Sequence, residues 1–85
     1  MKMNNEDFRI LSEMIIPLRK EAYLIEQAYK KQGVSNKRFR WDLLHTADIR
    51  RAKAGQERFV TTVLYEYLDD THIDTALRKI MDQSK

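Results

Sequence analysis

The chain has 85 residues, a net charge of +3 and no cysteine, so it is one small domain with no disulfide to staple it and no thiolate to act as nucleophile or zinc ligand. A hydrophobic content of 42% excludes wholesale disorder. Two Gly and one Pro suit helices with short connections and exclude a many-stranded β fold, which needs turn residues often.

The N-terminal stretch Met1–Asp7 lacks the apolar core of a signal peptide, and the run Met14–Leu18 is too short to span a bilayer. These features predict a cytoplasmic protein with no membrane association. A chain of this length buries only about 60–65% of the surface its unfolded form exposes, so self-association would help to stabilise it.

In chain order, Asn4 or Asn5 is the first N-cap, with Glu6 and Asp7 at the positive end of the helix dipole. Phe8, Leu11 and Ile15 recur at helical spacing, with Met14 beside them. Pro17 then kinks the chain or opens a second helix, from about residue 17 to residue 31. Leu18, Ala22, Ile25 and Ala28/Tyr29 form its inner face, and Gln32-Gly33 forms its stop. Ser35 or Asn36 caps a third helix running through Ile49, with Phe39, Leu43 and Ala47 in one row and Trp41 and Leu44 nearby. Residues 50–58 are polar, contain Gly55 and read as a connection.

Residues 59–68 are β-rich in composition but helical in spacing, with Phe59, Val63 and Tyr67 in one row and Val60, Leu64 and Leu68 in the next. No other segment offers a pairing strand, so a helix is predicted. Thr71 and Asp74 match a capping box for a last helix, whose stripe is Ile73, Leu77, Ile80 and Met81. The whole predicts an all-α fold, a single domain over 1–85 built as a bundle of four to five short helices.

Charge is uneven. Residues 30–58 carry nine basic and three acidic side chains, while the segments on either side are net acidic. Such a concentration attracts polyanions, and the proposed contacts are Lys37, Arg38, Arg40, Arg50, Arg51 and Lys53, with Trp41 as an anchor. Phe39 falls in register with Leu43 and Ala47 and belongs to the core. A helix-turn-helix about Gly55 fits poorly. Arg51 stands where that motif wants a small residue, and 59–68 offers Glu66 and no base-reading cation.

Catalysis has little to draw on. His45 and Asp48 stand three apart on one helix, but no nucleophile motif accompanies them, and the remaining His72 lies in Asp69-Asp70-Thr71-His72-Ile73-Asp74. That string has ligand-type side chains, yet it matches neither the calcium loop nor the two-His zinc pattern. The expectation is a non-enzymatic protein with no catalytic residue, no metal and no cofactor. Four Met, four Tyr and one Trp favour a protein interface, with a homodimer among the partners expected.

Two stretches, Arg38-Phe39-Arg40-Trp41-Asp42-Leu43-Leu44 and Leu64-Tyr65-Glu66-Tyr67-Leu68-Asp69-Asp70-Thr71-His72-Ile73-Asp74-Thr75-Ala76-Leu77-Arg78-Lys79-Ile80, resemble a group of small bacteriophage and prophage proteins. The resemblance implies action in a bacterial cytoplasm, with nucleic acid or a host protein as partner, and it implies no reaction. Its matching positions include Trp41, Asp42, His72, Asp74, Thr75 and Arg78; Asp74 and Arg78, four apart, predict an ion pair on one helix face. Trp41 is expected to pack on the last helix. The function expected is a regulatory or inhibitory adaptor binding protein or nucleic acid through residues 30–58. The alternative is a homo-oligomeric structural module that binds no nucleic acid.

Overall fold

Asn4 sits in extended backbone and its Oδ1 accepts from the Asp7 N–H at 2.8 Å, which starts α1 (Asn5–Ile15). In this computed structural model, which describes residues 3–60, Leu64 and residues 70–82, α1 does not stop at the proline. It tightens into a 3-10 turn, Ile16–Leu18, and continues as α2 (Arg19–Lys31). Pro17 has no N–H to give a carbonyl one turn back, and the tighter turn absorbs that loss.

Gly33 closes α2 with φ of +76°, a geometry that a side chain would strain. It lets the Val34 N–H reach back to the Tyr29 carbonyl at 2.9 Å. Ser35 then caps α3 (Asn36–Lys53), its Oγ accepting from the Arg38 N–H. The last described helix is α4 (Asp70–Asp82).

Three expectations change. First, α3 extends to Lys53 rather than ending at Ile49. Gly55, at φ +82°, performs for α3 the closure Gly33 performs for α2, with the Gln56 N–H bonded to the Arg51 carbonyl at 3.1 Å. Half of the segment expected to be a connection is therefore helical. Second, Thr71 lies within the first turn of α4, one residue inside its start, and Asp74 reaches another helix. Third, α1, the 3-10 turn and α2 follow one another without a break, so the described residues form three helical rods rather than four or five separate helices.

The all-α class stands, with no strand among the described residues. The predicted helix over 59–68 lies mostly outside them. Of that segment Phe59, Val60 and Leu64 are described, and all three are buried.

α1 packs against α3 and α4, and α2 packs against α3. The core joins Leu11 and Ile15 from α1, Leu18, Ala22 from α2, Phe39, Leu43 and Leu44 from α3, and Leu77 and Ile80 from α4. Their burial is the main favourable term in the fold. Two charged residues share that interior: Glu26 at 4% exposure and Asp48 at 0%.

Candidate binding face

Asp48 projects from the inner side of α3 and receives the chain that follows it. Its Oδ1 accepts from the Phe59 N–H at 2.8 Å and, more weakly, from the Val60 N–H at 3.4 Å, while Oδ2 accepts from Arg58 Nε at 2.7 Å. Burial pushes this carboxyl up, but the Phe59 N–H, the Arg58 guanidinium and the Val60 N–H together outweigh it and hold Asp48 below the usual carboxylate range. Glu26 meets Arg78 of α4 in a two-pronged ion pair, with Nη1 to Oε1 at 3.1 Å and Nη2 against Oε2. Arg78 Nε stands 4.0 Å from Asp74, so the expected i,i+4 pair is the lesser of its contacts.

Two tyrosines of α2 complete the polar frame. The Tyr23 hydroxyl lies 2.9 Å from both the Met81 carbonyl and the Asp82 carboxylate, at the end of α4. The Tyr29 hydroxyl donates to Asp42 at 2.6 Å. That bond, with the Arg38 guanidinium, holds the Asp42 carboxyl low against the opposing effect of its surroundings.

The seven proposed contact residues do not share a face. Arg40 is turned inward, its side chain only 11% exposed, and pairs with Asp74 of α4 at 3.3 Å. Arg50 reaches Glu21 at 3.1 Å. Arg51 donates through Nε to the Glu57 carbonyl at 2.7 Å and through Nη1 to Gln56, with its guanidinium 6.0 Å from the Phe59 ring centroid. These three stabilise helix contacts and the turn after α3. Arg50 and Arg51 also line a cleft of about 380 Å³ floored by Met14, Pro17, Leu18 and Ala47.

Lys37, Arg38, Trp41 and Lys53 remain together on the outer side of α3. Trp41 is half-buried against the core, with its ring 6.2 Å from that of His45. His45 and Ile49 follow at successive i+4 steps, both exposed, Ile49 at 49%. Arg38 pairs with Asp42 at the N-terminal end of this stripe.

Comparison with protein-family models, curated proteins and solved structures finds no match to this chain.

The chemical candidates are otherwise engaged. Asp48 turns its carboxylate to Arg58, Phe59 and Val60, while His45 faces Trp41. His72 lines a groove of about 340 Å³ with Met3, Phe8, Thr75, Ala76 and Lys79, and Lys79 Nζ lies 5.4 Å from the Phe8 ring centroid. Among the described residues no group of three or more His, Cys, Asp or Glu converges on one point; Asp69 lies outside them. Among the same residues no helix is long and apolar enough to cross a membrane.

Sequence reasoning missed the structural use of Asp48 and Glu26. Both had a signal: Asp48 stands four residues after Leu44 and Glu26 four after Ala22, so each falls on an apolar stripe.

Proposed function

We propose that this chain is a non-enzymatic accessory binding protein of the phage type, a regulatory or inhibitory adaptor that contacts a macromolecular partner through the outer side of α3 in a bacterial cytoplasm. The observation that carries the reading is the exposure of Ile49 beside His45 and Trp41, on a helix side that also presents Lys37, Arg38 and Lys53. An apolar side chain left open between cations contributes nothing to the fold it belongs to, and Trp and Arg are the side chains that most often dominate binding energy. The candidate acids and bases, by contrast, are committed to internal contacts.

The test is site-specific photo-cross-linking in bacterial cytoplasm. A photoreactive residue at position 45 should capture a discrete species, while the same residue at Gln27, exposed on α2, should not. Protease and nuclease sensitivity of the adduct would give its class. An empty lane from position 45 would end this reading, and a product of twice the chain mass would favour the homo-oligomeric module.

A further inference from the structure

The outer side of α3 is apolar in the middle and cationic at both ends. Lys37 and Lys53 are separated by about 24 Å of helix at 1.5 Å per residue. Between them Trp41, His45, Ile49 and Ala52 follow at steps of three and four, so they lie along one line. Arg38, with its side chain 71% exposed, stands beside Lys37 at the N-terminal end. Asp42 is the acid on this side, and its carboxylate already receives Tyr29 and Arg38.

That layout discriminates among occupants. A nucleic-acid duplex presents a charge about every 1.7 Å along its axis and is met by a continuous track of cations. The residues that would continue the track, Arg40, Arg50 and Arg51, are turned to Asp74, Glu21 and the turn after α3. A second copy fares no better. Set antiparallel, two such faces bring Lys53 against Lys37 and Arg38; set parallel, they bring like against like at both ends. An apolar centre with a charged rim is the anatomy of a protein interface, and a basic rim calls for an acidic partner.

Resting on the binding role proposed for α3, we infer that its outer side docks an acidic amphipathic helix of another protein. The partner's apolar residues lie along Trp41, His45 and Ile49, and its carboxylates meet Lys37 and Arg38 at one end and Lys53 at the other.

Trp41 is the chain's single tryptophan and sits on this face, so its emission reports directly on occupancy. The probes are two synthetic helical peptides of about 18 residues, about 27 Å long, with the same leucine stripe and either Glu or Lys at both ends. Mixed-sequence duplex DNA and single-stranded RNA complete the set. The acidic peptide should shift Trp41 emission to the blue with a Kd in the micromolar range, and the basic peptide should not. Ile49→Glu, an exposed position that leaves the core untouched, should weaken binding at least tenfold. Lys53→Glu should weaken it several-fold, and more at low salt, where exposed charges are least screened. The inference is overturned if the oligonucleotides move the emission and the acidic peptide does not, or if neither peptide does. It is also overturned if light scattering finds a dimer that Ile49→Glu dissolves. Cross-linking from position 45 to nucleic acid would keep the binding role of α3 while discarding this partner.

Discussion

Replacing Asp48 should remove more stability than any other single polar change among the described residues. Asp48→Ala strips the acceptor from the Phe59 N–H, a buried donor held at 2.8 Å, at a cost of about 1–3 kcal/mol. The Val60 bond at 3.4 Å adds little. Arg58 is 46% exposed and returns to water, so its lost ion pair is worth at most about 1 kcal/mol. The sum is about 2–4 kcal/mol, against a total of roughly 4–13 kcal/mol for a domain of this size. At about 4–8 °C per kcal/mol, the midpoint of thermal unfolding should fall by about 10 °C or more. Asp48→Asn keeps one acceptor for Phe59 and should cost about half as much. Far-UV circular dichroism on heating and urea titration of Trp41 emission both read the change.

The pH dependence of Asp48 carries its own sign. A carboxyl depressed in the fold stabilises fully above its unfolded value and loses that contribution as pH falls through its folded one. The unfolded reference is 3.8, and Asp48 lies below it, so wild type should lose its advantage over Asp48→Asn only below pH 3.8. An Asp48→Ala variant within about 0.5 kcal/mol of wild type, the ordinary spread for surface changes, would refute the reasoning. A gap to Asp48→Asn that stays constant down to pH 2 would do the same.

Two further outcomes follow from the frame between helices. Arg78→Ala leaves Glu26 charged and buried and should cost about 3 kcal/mol. Glu26→Ala leaves Arg78 with Asp74 and water and should cost about 1 kcal/mol or less; urea titrations giving the opposite order would contradict the pairing. Tyr29→Phe removes the hydroxyl that does most to hold Asp42 low, so the Asp42 carboxyl should titrate closer to 3.8 when followed by carbon-13 NMR. An unmoved titration would show that Arg38 alone sets it.

What was legible in the sequence were features decided within one turn of helix. Asn4 and Ser35 cap through their own side chains, Gly33 closes through its own φ, and Leu11, Ile15, Leu43 and Leu77 repeat at spacings that local geometry alone makes inner. The end of α3 escaped because Arg50, Arg51 and Lys53 carry no apolar stripe, although Gly55 marked the stop as clearly as Gly33 did. The candidate site was legible only in part for a different reason. Arg40 finds Asp74 34 residues away and Arg50 finds Glu21 29 residues away, and no local spacing announces such a meeting.

The chemistry of the cations sorts them where their count does not. Residues 30–58 hold five Arg and four Lys. Arg40, Arg50, Arg51 and Arg58 each bridge to another part of the chain through a carboxylate or a carbonyl, the planar acceptors that a guanidinium fork meets with directed N–H groups. Lys30, Lys31, Lys37 and Lys53 are all exposed, as a compact, strongly hydrated charge prefers. Much of the positive charge that first suggests a polyanion site is therefore internal bracing, drawn to acids on α2, α3 and α4. Arg38 is the exception, an exposed guanidinium at the end of the outer stripe. The Ile49–Trp41 line lies between it and Lys53, and the short supply of cations along that line is what turns the reading from a phosphate track toward a protein surface.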